Sequence, residues 1–141
     1  MARFYDIDDA NAALVEVAPL LATLADQRAE LVRLRDRTLA AHQPAGSAGA
    51  DLEGDGGIDP AEARRIHLRM QGVIDQMTAA VARIDALGIT LRDIQQGLID
   101  FPALVNGRQV WLCWHLGESE VTTWHELEAG IAGRRPLAEL A

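Results

Sequence analysis

The sequence lacks lysine altogether, so all of its 13 basic residues are arginine. They are outnumbered by 21 acidic residues, and the formal net charge is −8. An acidic chain repels the phosphates of nucleic acids and of anionic lipid surfaces. No apolar run approaches the length that is needed to cross a bilayer. These absences argue against nucleic-acid partners and against a membrane protein.

The chain has only 1 cysteine, so it cannot form an internal disulfide. A single unpaired cysteine is consistent with a protein in a reducing compartment. The N-terminus has an early arginine but no apolar segment of the kind found in a secretory signal, because acidic residues follow at once. We therefore expect a cytoplasmic protein. A length of 141 residues favours a single domain, 1–141, which is long enough to bury a core.

A first helical pattern extends over residues 7–41 after a predicted cap at Asp6. Its apolar residues recur at spacings of three, four and seven. Residues 43–58 are rich in glycine, alanine and acids, a composition that is typical of a flexible acidic linker. Because one loop joins two long helices, the simplest arrangement is an antiparallel helical hairpin.

The second helical pattern extends over residues 60–87 and has strong boundary signals. Asp59 is a predicted N-cap, Pro60 suits the first helical position, and Glu62 completes a capping box. Gly88 ends the pattern. The apolar residues alternate steps of four and three, which is the spacing of a coiled coil. This seam consists of Ile66, Met70, Val73, Met77, Ala80, Ile84 and Leu87.

After Gly88 the hydrophobic period changes to two, which predicts a β-meander over residues 89–127. Asn106-Gly107 predicts a two-residue hairpin turn, because both turn positions need positive φ. Pro102 cannot donate to a β-ladder, so its strand should lie at an edge or carry a break there. The expected fold class is α+β: a coiled-coil-like antiparallel two-helix hairpin packed against a small antiparallel sheet, which Phe4 and Tyr5 join.

The hairpin turn also predicts which side chains share a face of the sheet. It pairs Asp100 with Cys113, and these two residues lie with His115 on the face opposite the apolar one. The next turn leaves two alternatives open. A two-residue loop at Glu118-Ser119 places Trp124 opposite Cys113, whereas a three-residue loop over 118–120 places His125 there.

The three-residue loop aligns Asp100, Cys113 and His125 across three strands, with Glu118 at the turn as a fourth ligand. Carboxylate, thiolate and imidazole groups together suit zinc or iron. The alternative is an ordinary core in which the cysteine is a small buried hydrophobe. A cysteine–histidine nucleophile pair is less favoured, because nothing in the sequence marks an oxyanion hole or an orienting third residue.

The linker contains a second candidate site, for calcium. Residues 51–62 fit the pattern of an EF-hand loop, with acids at the ligand positions and a glycine at the sharp turn. No incoming helix adjoins the loop, and its ordering on binding opposes affinity. The candidate ligands are Asp51, Glu53, Asp55, Gly57, Asp59 and Glu62.

Three stretches resemble a prokaryotic family of small uncharacterised proteins, the domain-of-unknown-function family 2203. They are Gly-Leu-hydrophobic-Asp-Phe-Pro at 97–102, Leu-Cys-Trp-x-x-Gly-Glu at 112–118, and Trp-His at 124–125. The resemblance implies no activity and no catalytic residues. Its pattern includes Asp100, Cys113, Glu118, Trp124 and His125, and it leaves out the calcium-like loop.

These patterns predict an interaction or scaffold protein that self-associates. It would form a homo-oligomer or bind a protein partner. A metal-binding protein or metal-dependent enzyme using Asp100, Cys113, Glu118 and His125 is the alternative. Structural calcium binding by the loop 51–62 is a further one. Whether the protein is an enzyme, and on what substrate, does not follow from the sequence.

Overall fold

The computed structural model describes residues 3–41 and 59–140, and in it two long helices pack together. Helix α1 is Ile7–Ala41 and helix α2 is Pro60–Ala86. The ion pairs between them fall in antiparallel order: Glu16 with Arg83, Glu30 with Arg69, and Glu62 with Arg37. The predicted antiparallel hairpin is therefore confirmed. Within the described ranges neither helix is long and apolar enough to cross a membrane.

The boundaries of α2 follow its sequence signals closely. Asp59 caps the helix by accepting a hydrogen bond from the backbone N–H of Ala61 at 2.8 Å. The helix ends at Ala86, one residue before the predicted end, because Leu87 already serves as its C-cap. The seven predicted seam residues are buried or half-buried, and most other positions of α2 are exposed. The seam therefore faces the hairpin and the sheet.

After α2 the chain forms a five-stranded antiparallel sheet in which each strand pairs with the next along the sequence. The sheet exceeds the predicted range 89–127, since its last strand lies beyond it. That strand has two residues, too few for a hydrophobic period to be detected. The strands are β1 (Thr90–Asp93), β2 (Leu98–Val105), β3 (Arg108–Trp114), β4 (Thr123–His125) and β5 (Arg135–Pro136).

One face of the sheet packs against the helical hairpin and forms the core. Of the two aromatic residues predicted to join this core, Tyr5 does so, with its ring 5.0 Å from that of Phe101 in an edge-on arrangement, whereas Phe4 is exposed. The Tyr5 hydroxyl donates to the carbonyl of Leu87 at 2.5 Å. The sheet residues of the core include Ile99, Phe101, Ala103, Val110, Leu112, Trp114 and Trp124.

Pro102 occupies a position on β2 where its missing N–H does no harm. Strand β1 pairs with β2 only as far as Asp100, so this side of Pro102 has no neighbouring strand. The backbone N–H of Tyr5 donates instead to the Pro102 carbonyl at 2.7 Å. The strand is interior, but the proline lies at a locally open edge, in agreement with its chemistry.

Candidate metal centre

The first hairpin confirms the predicted turn and its register. Asn106 and Gly107 both have positive φ, 54° and 76°, and Asp100 lies opposite Cys113 across β2 and β3. Successive residues of a strand point to opposite faces. Because Phe101 and Leu112 face the helices, Asp100 and Cys113 point to the other face of the sheet.

The second connection is longer than either predicted loop, and both predicted registers are wrong. His125 pairs with Trp111, and Cys113 pairs with Thr123. The longer loop is held by Glu118, whose side chain accepts the His115 backbone N–H at 2.9 Å. The observed register differs from that of the three-residue loop by two residues, and such a shift keeps every side chain on its face. His125 therefore still shares a face with Cys113.

Asp100, Cys113 and His125 consequently meet on one face of the sheet. One ligand atom of each lies within 4.8 Å of the others. All three residues are buried, with relative exposures of 2%, 0% and 2%. Buried polar groups are costly unless they are paired or coordinate an ion. The cluster is therefore compact enough, and dry enough, to hold a metal ion.

The hydrogen bonds of His125 determine which ring nitrogen can bind a metal. Nδ1 lies 2.8 Å from the carbonyl oxygen of Glu126, which only accepts, so the network assigns a proton to Nδ1. Nε2 lies 3.0 Å from both carboxylate oxygens of Asp100. Two acceptors face each other there unless a cation, either a proton or a metal ion, lies between them. This is the orientation of a histidine that ligates through Nε2.

The thiol of Cys113 is protonated in the metal-free protein. Burial raises its pKa to about 12, and the nearby negative charge of Asp100 acts in the same direction. A hydrogen bond from the thiol to Asp100 also favours the protonated form. A metal ion in the cluster reverses this preference, because a coordinating thiol loses its proton. The thiol therefore has low reactivity in the metal-free cluster.

A cavity of about 380 Å³ opens directly above the three side chains. Arg92 stands in its wall, and its Nε donates to Oδ2 of Asp100 at 2.8 Å. The guanidinium also lies over the ring of Trp111, 5.0 Å from the centroid. The remaining wall comes from Leu98 of β2 and from the segment after β4: Leu127, Glu128, Gly130 and Ile131.

The family model of an uncharacterized conserved protein, DUF2203, matches residues 3–137 of the chain. The chain belongs to this family. That confirms the resemblance found in the sequence, and it brings no established activity with it. No curated protein matches this DUF2203 protein, and no solved structure does.

Glu118, the fourth predicted ligand, lies outside the group of three that the structure brings together. Its carboxylate accepts a hydrogen bond from Arg134 at 2.8 Å, in addition to the one from His115. Arg134 also donates from Nε to the Thr123 hydroxyl at 2.9 Å. Glu118 thus ties the C-terminal segment of this DUF2203 protein to the loop before β4.

Two further predicted site groups have other roles in the described residues. His115 is half-exposed, with its Nδ1 2.8 Å from the carbonyl oxygen of Leu116, and it does not join the cluster. Of the candidate calcium ligands, Asp59 caps α2 and Glu62 pairs with Arg37. The other four, Asp51, Glu53, Asp55 and Gly57, lie outside the described residues.

Arg92 was not singled out from the sequence, although it adjoins the site. Its position was hidden by an irregularity in β1, where the register shifts between Leu91 and Asp93. A simple alternation cannot be extended through such a bulge. The only available signal was an arginine in a short strand that precedes a buried aspartate.

Proposed function

We propose that this DUF2203 protein binds a divalent transition metal ion, zinc or iron, through Asp100, Cys113 and His125. The observation that carries the proposal is the approach of the three ligand atoms to within 4.8 Å of one another at the floor of a cavity. Nitrogen, sulfur and oxygen donors in one buried group are typical of these two metals.

The number of protein ligands suggests what kind of centre this is. Structural zinc sites use four protein ligands, whereas catalytic sites use three and leave one position for water or substrate. Asp100, Cys113 and His125 supply three, and the cavity lies on the open side. A metal ion held there supplies Lewis acidity to a small molecule in the cavity. We therefore propose a ligand-binding or catalytic centre rather than a structural one.

The competing interpretation is that the three side chains form a satisfied polar core. In such a core, the Cys113 thiol and the His125 ring both hydrogen-bond to Asp100. The metal interpretation is favoured because the same three groups line a cavity that is open to a small molecule.

Metal content after reconstitution tests the proposal. The protein is stripped with a chelator, incubated with zinc, freed of excess ion and analysed for zinc per chain. We expect about one zinc ion per wild-type chain and loss of that zinc in His125→Gln. The matched control is His67→Gln, since His67 is an exposed histidine on α2, and it should keep the metal.

Equal zinc content in His125→Gln and wild type would contradict the proposal. Circular dichroism checks that each variant is folded. Cys113→Ser serves as a second variant, because the exchange of sulfur for oxygen changes the side-chain volume little. It should also lose zinc.

Self-association of the hairpin is a second candidate function, and an apolar groove on the hairpin favours it. The groove is lined by Leu31 of α1 and by Ile74, Met77 and Val81 of α2. Side-by-side packing of two hairpins through this groove gives a four-helix arrangement. Light scattering at micromolar concentration should report a dimer.

A variant in the groove and a matched control locate the contact. Ile74→Glu should reduce the mass to that of a monomer. Leu68→Glu should leave the dimer intact, because Leu68 is exposed on the same helix but does not line the groove. A wild-type monomer would contradict self-association.

A further inference from the structure

We infer that the cavity above the metal centre binds a short aliphatic carboxylate, with one carboxylate oxygen on the metal ion and the other on Arg92. The inference rests on the proposed metal site and goes further, since it assigns the chemical class of the ligand. It is carried by the position, charge and free donors of Arg92 and by the apolar wall of the cavity.

Arg92 is held in place but is not saturated. Its Nε donates to Asp100, and its guanidinium is stacked over Trp111. Among the described residues no partner accepts from its two terminal nitrogens, and its side chain is 41% exposed at the cavity. A planar guanidinium with free N–H groups matches the geometry of a carboxylate. Arg92 is therefore oriented to bind a carboxylate in the cavity.

The charges around the cavity favour a monoanion. The carboxylate of Asp100 and the thiolate of Cys113 balance a divalent ion, and His125 adds no charge as a neutral ligand. Arg92 adds one positive charge from the wall, so the ion and these four side chains together carry one positive charge. Glu128 carries a negative charge at the wall, but it is exposed and hence well solvated. A carboxylate neutralises the floor, whereas a phosphate dianion exceeds its charge.

The rest of the wall indicates the body of the ligand. Leu98, Leu127 and Ile131 contribute aliphatic surface next to the polar floor. The volume of about 380 Å³ lies near the lower end of the range for small-molecule sites. Aliphatic surface gains free energy by burying an apolar chain. A carboxylate with a short alkyl chain fits both the floor and the wall.

The test uses protein loaded with cobalt(II), whose visible spectrum changes when a ligand enters the metal's coordination sphere. Butyrate is the ligand added. Butyramide serves as the uncharged control of similar shape, and inorganic phosphate as the alternative anion. We expect a saturable spectral change with butyrate, none with butyramide, and weaker binding of phosphate.

Variants then separate direct contact from the effect of charge. Compared with wild type at equal cobalt occupancy, because Arg92 also donates to Asp100, Arg92→Gln should weaken butyrate binding roughly ten- to hundredfold. Arg92→Lys keeps the charge but loses the planar pair of donors, so it should still weaken binding. Glu128→Gln removes a charge of the opposite sign at the wall and should strengthen binding no more than a few-fold.

The possible failures are distinguishable. Protein that does not take up cobalt refutes the proposed metal site, and the carboxylate inference with it. Protein that binds cobalt but gives no spectral change with butyrate refutes the carboxylate inference alone. Wild-type affinity in both Arg92 variants also overturns it, and so does tighter binding of phosphate than of butyrate.

Discussion

The metal-free cluster should release the proton of the Cys113 thiol for every zinc ion that it binds at neutral pH. The pKa of this thiol is raised to about 12 by burial and by the charge of Asp100. Zinc displaces the proton, because it binds the thiolate.

The size of the effect follows from linkage. Each displaced proton changes the apparent binding free energy by about 1.4 kcal/mol per pH unit. Release of this one proton therefore makes the apparent zinc affinity rise about tenfold per pH unit. Isothermal titration calorimetry near pH 7, repeated in buffers of different ionisation enthalpy, gives the number of protons as a slope.

Variants identify the source of the proton. Cys113→Ser lacks the thiol, so any zinc that it still binds at high concentration should release one proton fewer. His67→Gln should release as many protons as the wild type, because His67 is exposed and remote in sequence from the cluster strands. A slope near zero in the wild type would contradict a protonated Cys113 thiol that zinc displaces.

Four further predictions concern stability. Gly97→Ala should lower the free energy of unfolding by roughly 1–3 kcal/mol, because φ is 62° there and a Cβ would lie 2.4 Å from Cγ of Leu116. Gly72→Ala should instead raise the free energy of unfolding by about 1 kcal/mol, because a Cβ at this position of α2 meets only open space. Chemical denaturation measures both. Tyr5→Phe should cost about 1 kcal/mol in the same assay, because it removes the hydrogen bond to the Leu87 carbonyl. In the metal-free protein, the thiol of Cys113 has a pKa raised from 9.0 to about 12, so the unfolded chain loses this proton first as pH rises. Thermal melts should therefore show a contribution to stability that is complete below pH 9 and is lost between pH 9 and 12, and Cys113→Ser should lack it.

The helices and the first hairpin could be predicted because their signals are local. Asp59 and Pro60 mark the start of α2, and the seam spacing identifies its buried side. Asn106 and Gly107 determine a register that reaches from the turn to Asp100 and Cys113. A turn with positive φ at both positions admits one short loop geometry, so every pairing in the hairpin follows from it.

The connection between β3 and β4 could not be predicted, because long-range contacts determine its path. The N–H of Val121 donates to the side chain of Asn11 on α1 at 2.7 Å, and the N–H of Leu116 donates to the carbonyl of Gly97 at 3.2 Å. Neither partner is close in sequence. The His125 side chain nevertheless lies on the face that the three-residue loop predicts, because the observed register differs from that prediction by two residues and keeps the same parity.

The position of the candidate centre follows from how the two faces of the sheet are used. The helical hairpin packs against one face, and apolar residues of both helices supply the partners for that face. The other face has no α-helix within the described residues, and residues 127–131, which follow β4, line the cavity there together with the strand side chains. A face covered by a short irregular segment leaves room for a cavity, whereas close-packed helices do not. Polar side chains in the middle of this sheet can therefore be buried and still border a cavity that a small molecule can enter. A metal centre with a free coordination position requires both features.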